Sequence, residues 1–347
     1  MHTKIRKAIL LATGLILLNF SLGGQNKQMK KSIFDALLYQ DPVEVSIKTD
    51  LDSLINIRNR ETYQPAEFIF VNKNKKRIKR KIRLKPRGKY RRRVCDFPSI
   101  KIDFSKKDLK ESGLARYDDY KLVTHCLEDK NISRENVMRE YLIYKLYNIL
   151  TEKSFRVQSL NINYIDSKDN IKPFTRKGFI IENEGEIEDR LAIEIFEDVR
   201  LPADSLNIEQ LNFTALFHYM IGNLDWKASP FTQNVKVFKT EHSTKYELIP
   251  YDFDFSGLVG TSYQRLAVHL GQTNSRQRIF LGDWSKKEAL KKAITHFTSR
   301  KKDLIDCIHN FKGLSKASRR DIRTYIETFF AELNDGSFLA KASNTQE

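Results

Sequence analysis

The stretch Gly222-Asn223-Leu224-Asp225-Trp226 and the stretch Pro250-Tyr251-Asp252-Phe253-Asp254-Phe255 bracket two short strand-forming runs, Asn234–Lys239 and Tyr246–Pro250. An antiparallel return of that length brings Asp252 and Asp254 back toward Asp225, with Asn234 opening the first strand. Two carboxylates and an amide are hard oxygen donors of the kind that suits Mg²⁺ or Mn²⁺. The remaining carboxylate stays available to orient or deprotonate a hydroxyl. An isolated Asp-x-Asp is more often a turn, and an aspartate after a helix is more often a loop residue. The order of all four points instead to phosphoryl transfer, a chemistry in which positioning and charge neutralisation do most of the work.

Outward from this segment, the two halves of the chain differ in period. From Ile208 the apolar pattern is helical and ends near Gly222, and Lys286–Leu333 reads as two or three helices. The first half is dominated by strands: Val43–Lys48, Glu67–Val71, Ser99–Phe104, Tyr120–His125, Phe155–Ile165 and Gly178–Ile181. Around Ile78 a period of two places Ile78, Ile82 and Leu84 on one face and Lys79, Lys81, Arg83 and Lys85 on the other. Ser32–Tyr39 reads as a short helix. Ser133 is expected to cap a long helix with Val137, Met138, Tyr141, Leu142, Leu146 and Ile149 as its apolar stripe. The expected class is α+β, with a strand-rich N-terminal lobe over residues 25–185 and a mainly helical C-terminal lobe over 186–347. A cleft between such lobes is a common ligand site.

The charge is concentrated. The formal net charge is +17, and residues 73–93 hold fourteen Lys or Arg with no acid. That run, together with Lys4, Arg6 and Lys7, accounts for the whole excess. An acidic or polyanionic partner is therefore expected at 73–93, an envelope phosphate polymer ahead of nucleic acid. Residues 1–24 read as a cleavable signal peptide: a short basic start, an apolar stretch from Ala8 to Leu22, then Gly23 and Gly24. The expectation is export to a periplasmic or extracellular site, with no membrane span once the signal is removed. Three cysteines, Cys95, Cys126 and Cys307, lack metal-ligand spacing; a Cys95–Cys126 disulfide with Cys307 spare suits an oxidising compartment.

These motifs together resemble the spore-coat (CotH-like) family of atypical secretory protein kinases. The resemblance rests on Arg87-Gly88, on Pro98 to Lys101, on the strand and helix over Tyr120–Leu150, on Asn223-Leu224-Asp225 with Asn234, and on Pro250-Tyr251-Asp252-Phe253-Asp254. It implies a two-lobed kinase-like fold using ATP or another nucleotide with Mg²⁺ or Mn²⁺. Asp225 is then the catalytic aspartate, Asn234 and Asp252 are metal ligands, and Asp254 is a supporting carboxylate at the metal. Lys121 precedes the long helix, where a kinase places its ATP lysine, and Lys101 is the second candidate. Glu140 is the expected ion-pair partner of that lysine, and Glu182 the residue at the hinge. The loop after Arg87 departs from the family: Lys89, Tyr90 and three arginines stand where small residues are usual, and such a loop holds either phosphate through its side chains or another polyanion.

Gly-x-Ser-x-Gly and His-Glu-x-x-His are absent, which leaves a hydrolase triad and a zincin unsupported. A glycosyltransferase using Asp252 and Asp254 would open with a nucleotide-binding βαβ unit, and none precedes the motif. The expected function is an exported phosphotransferase acting on a protein or envelope acceptor. The alternative is a non-catalytic polyanion-binding module.

Overall fold

A computed structural model describes residues 30–197 and 200–343, so residues 1–24, expected to be a signal peptide, lie outside the described residues. Helix α1 (Ile33–Leu37) starts at Ser32 through a reciprocal cap, the Ser32 side chain accepting from Asp35 N while Asp35 accepts from Ser32 N. Seven strands follow: β1 (Val43–Thr49), β2 (Gln64–Val71), β3 (Arg77–Arg87), β4 (Ser99–Phe104), β5 (Asp119–Val123), β6 (Val157–Asp166) and β7 (Phe174–Ile181). They close a barrel in the order β1-β2-β3-β4-β5-β7-β6, with β1 and β6 parallel at the seam. Closure leaves no sheet edge to protect. Alternation along each strand sends Ile47, Phe68, Leu84, Ile102, Leu122 and Ile162 into a fully buried interior. On β3 the expected facing holds: Ile82 and Leu84 are buried, while Lys79, Lys81 and Arg83 are exposed.

Short helices α2 (Leu51–Asn56), α3 (Arg91–Val94) and α4 (Lys106–Glu111) occupy barrel connections. The long helix α5 (Lys130–Leu150) begins earlier than Ser133. Asp129 is the cap, accepting from the N–H groups of Asn131 and Ile132, and Ser133 inside the helix donates to Leu127 O. The carboxylate competes better for the orphan N–H groups of the first turn than the later hydroxyl. After Glu182 the acidic run is helical. It forms α6 (Glu184–Leu191), capped by Asn183 accepting from Gly185 N, with Glu184 and Glu186 in the first turn, where the helix dipole favours them.

Strands β8 (Ile193–Phe196), β9 (Val235–Thr240) and β10 (Glu247–Pro250) form a separate antiparallel sheet in the order β10-β9-β8. Helix α7 (Ile208–Ile221) ends at Gly222, whose φ of 65° is left-handed and where a Cβ would collide with the Tyr325 hydroxyl. Helices α8 (Lys287–Ser299), α9 (Lys301–Asn310), α10 (Lys316–Asn334) and α11 (Ser337–Ser343) complete the chain. The result is a mixed α+β structure, strand-rich first and helical later. Helix α5 packs on β7 and on α9, and its Tyr141, Leu142, Tyr144 and Leu146 join the core of the helical part. Cys95 and Cys126 form the expected disulfide, joining the end of α3 to the segment before α5. Among the described residues no helix is long and apolar enough to cross a membrane.

Candidate functional site

The turn after α7 is built by its own polar residues. Asn223 pairs with His218 Nδ1 at 3.1 Å and accepts from Asp225 N at 3.0 Å. Burial depresses the His218 pKa to about 3, so the ring is neutral, and it stacks on Trp226 with centroids 4.5 Å apart. This holds Asp225 half-buried at the turn. Asn234 Nδ2 donates to Asp225 Oδ2 at 2.9 Å and to Asp225 O at 2.6 Å, and Gln233 Nε2 donates to Oδ1. With its NH₂ group committed to Asp225, Asn234 keeps Oδ1 without a donor among the described residues.

Asn234 and Asp252 both have left-handed backbones, with φ of 53° and 61°. Such a conformation costs about 1–3 kcal/mol and persists where the surroundings over-determine it. Here Tyr251 N donates to Asn234 O at 3.0 Å, and Asp252 N donates to the Tyr144 hydroxyl at 2.9 Å. The hairpin return therefore brings Asp225, Asn234 and Asp252 together. The Asp225 pKa is raised by burial and then by the Asp252 charge. Asp254 is buried and its pKa is pushed up to about 7, by burial first and by Asp252 second.

Two residues that sequence reading left out complete this end of the site. Arg91, the first residue of α3, is buried between Asp254 (Nε to Oδ2, 3.8 Å) and Glu140 (Nη1 to Oε2, 3.9 Å). The second is Tyr144, which pins the Asp252 backbone. Arg91 was hidden in a run of three arginines; the neighbouring Cys95, tied to the start of α5, was the only signal that this loop turns inward. Glu140 thus pairs with Arg91 and not with Lys121 or Lys101, because the cysteine tether delivers the guanidinium to α5 while both lysines stay on the barrel strands. Burial raises the Glu140 pKa well above the usual range, against the lowering effect of Arg91. Glu140 Oε1 and Arg91 Nε are buried with no hydrogen-bond partner.

The lysines are cross-strand neighbours on β4 and β5 with separate partners. Lys101 pairs with Asp119, and Lys121 Nζ lies 2.6 Å from Glu184 Oε1 and 4.8 Å from the Tyr251 ring centre. Burial lowers the Lys121 pKa, and the Glu184 charge opposes this. Lys236 Nζ reaches the other oxygen of Glu184 at 2.8 Å, so one carboxylate joins the barrel to the second sheet. The Arg87 side chain, ahead of Gly88, has no hydrogen bond or ion pair among the described residues. Its charge is nevertheless felt at Lys121, Glu140, Tyr144 and Tyr251. Glu182 lies apart from this group. It accepts from Arg156 Nε at 2.7 Å and from Arg190 Nε and Nη2, both at 2.9 Å, which makes it a fully paired structural carboxylate.

The described residues contain no group of three His, Cys, Asp or Glu side chains gathered to hold a metal ion. The donor chemistry still fits Mg²⁺, which is normally bound by one or two carboxylates with water and substrate phosphate rather than by a protein cage. Asn234 Oδ1, Asp252 and Asp254 supply hard oxygens of that kind. Beside Asp225 opens a cavity of about 830 Å³ that extends under Tyr90 and Phe255.

No family model and no curated protein matches the chain. The crystal structure of the proinflammatory kinase CtkA from Helicobacter pylori aligns with a TM-score of 0.40 at 10% sequence identity, over 71% of this chain and 95% of that one.

Proposed function

We propose that the protein is an exported, kinase-like phosphotransferase in which the barrel and the helical part act as two lobes. A nucleotide is the phosphoryl donor and a protein or envelope hydroxyl the acceptor. The observation that carries this reading is the convergence of Asp225, Asn234, Asp252 and Asp254, bound or electrostatically coupled to one another, below the cationic Arg87 and Arg91. Asn234, Asp252 and Asp254 would hold Mg²⁺ or Mn²⁺, which supplies charge neutralisation on the phosphates when bound. Asp225, whose proton affinity is raised, takes the proton of the acceptor hydroxyl. The hydroxyl oxygen bonds to the terminal phosphorus as the bond to the nucleoside diphosphate breaks. Arg87 and Lys121 are the phosphate contacts, with Lys101 one strand behind. Lys121 then exchanges its Glu184 partner for phosphate oxygen.

The test is nucleotide affinity by calorimetry with Mn²⁺, together with phosphate transfer, for wild type and two variants. Asp252→Asn abolishes divalent-dependent nucleotide binding, because a neutral amide does not replace the charge that holds the ion. Asp225→Asn keeps binding and loses about two to four orders of magnitude in transfer rate. A wild type that binds no nucleotide with any divalent ion overturns the reading. The polyanion-binding alternative is favoured by one observation, the exposed Lys73, Lys75, Lys76, Arg77 and Lys81 of the β2–β3 hairpin.

A further inference from the structure

The cavity beside Asp225 has the shape and charge of a site for a chain rather than for a small polar molecule. Its floor is apolar, formed in part by Leu211, Leu224 and Leu281, while Lys227, Arg265 and His269 stand at its edge. Asp225 is the single carboxylate among its lining residues. Exposed apolar side chains flank it. Val268 is 71% exposed, Phe231 62% and Leu266 40%, each within or beside the lining segments. Scattered exposed hydrophobics need no explanation, but a cluster around a concave site marks an interaction surface. The two sides are also fastened down. Tyr90 donates its hydroxyl to Tyr263 O at 3.0 Å and packs edge-on to Phe255 at 5.3 Å, and the Arg265 guanidinium lies 4.7 Å from the Tyr90 ring centre.

We propose that this cavity is the acceptor site and that it takes a peptide segment of a stated kind. The segment carries a hydroxyl residue, a bulky apolar side chain next to it, and a carboxylate nearby. The proposal rests on the phosphotransferase reading above. The apolar side chain fills the leucine-lined floor, which positions the hydroxyl at Asp225. The peptide carboxylate meets Lys227 and Arg265, neither of which has an ion-pair partner among the described residues. An acidic residue placed directly at Asp225 is disfavoured by like charge, so the carboxylate lies on the Arg265 side of the hydroxyl. The 830 Å³ volume accommodates one large side chain with its flanking backbone, within the range of ordinary ligand sites.

The experiment uses an array of serine-centred peptides in which each flanking position is varied through all twenty residues. Binding is read without nucleotide, and Mn²⁺-nucleotide affinity is measured in parallel on the same protein. The expected result is selection of Phe, Leu or Met at one flank and of Asp or Glu at another. Exchanging the selected acid for Lys weakens binding at least tenfold. In the double variant Lys227→Glu/Arg265→Glu the charge preference reverses, and the variant stays folded, with thermal unfolding lowered only by loss of the Arg265 contact with the Tyr90 ring. An array with no selection, a selection of basic residues, or a preference that survives the double reversal overturns the proposal. Nucleotide binding with an unselective array sinks the acceptor assignment alone. Selective peptide binding without any nucleotide binding upholds this site and sinks the phosphotransferase reading instead.

Discussion

Replacing Arg91 with Met tests whether the buried pair with Glu140 and Asp254 holds the site together. The guanidinium lies 3.8 Å from Asp254 and 3.9 Å from Glu140, and all three groups are buried. At an effective dielectric constant of about 20, each contact is worth about 4 kcal/mol of attraction. Removing a buried guanidinium also removes its own desolvation cost, so the net loss on breaking such a pair is about 3–5 kcal/mol. That loss depends on pH. The charge of Arg91 lowers the pKa of both carboxyl groups, and without it Glu140 and Asp254 hold their protons to higher pH in the fold. Both pKa values then lie further above their unfolded values, so the loss of stability with rising pH continues to higher pH and is larger in total. Arg91→Met should therefore cost about 3–5 kcal/mol at pH 8 and clearly less at pH 5. Glu140→Gln placed on top of it should recover part of the loss, with a coupling of about 1–3 kcal/mol. Urea unfolding of wild type, Arg91→Met, Glu140→Gln and the double variant at both pH values measures this. A loss under about 1 kcal/mol at pH 8, or an equal loss at pH 5, refutes the reasoning.

Glu186 provides a second pH handle away from the site. It accepts from Ser32 and lies 3.2 Å from Arg156, yet burial raises its pKa from 4.5 to about 7. The folded chain thus binds a proton more readily than the unfolded chain between these values, and stability falls by about 3 kcal/mol as pH rises through them. Glu186→Gln should flatten that part of the profile and raise the urea midpoint at pH 8; an unchanged slope counts against it. For the Cys95–Cys126 bond, with a sequence separation of 31, the closed loop predicts about 4 kcal/mol from restriction of the unfolded chain. The Cys95→Ala/Cys126→Ala variant should lose up to that amount, and mass spectrometry of non-reduced peptides should show the pair linked. Two free thiols in purified protein end the idea.

Local pattern was enough for most strands and for the hairpin that carries the aspartates. The period of two in β3 sorted its lysines from its isoleucines, because facing is a property of neighbours in sequence. The same holds for Gly222, which ends α7 where a left-handed residue is needed. Helix starts were harder. Ser133 looked like a cap, but Asp129 offered a stronger acceptor one turn earlier, and the acids after Glu182 became a first turn once Asn183 capped them.

Pairings between distant charges stayed out of reach for a different reason. Each of Lys101, Lys121, Glu140 and Glu182 sits where its element predicts, yet its partner is chosen by which strand or loop arrives across the barrel. Lys101 faces Asp119, Lys121 faces Glu184, and Glu182 is taken by Arg156 and Arg190. Arg91 shows the limit most clearly: three consecutive arginines are equivalent in sequence, and only the helical turn of α3 and the disulfide decide which one is buried. The α+β class, the basic face of β3 and the order Asp225, Asn234, Asp252, Asp254 are legible in the chain itself. Those features follow from periodicity and spacing along the chain. Barrel closure, the Arg91 bridge and the cavity under Tyr90 and Phe255 were decided by the tertiary structure, because they depend on close packing between segments up to about 170 residues apart.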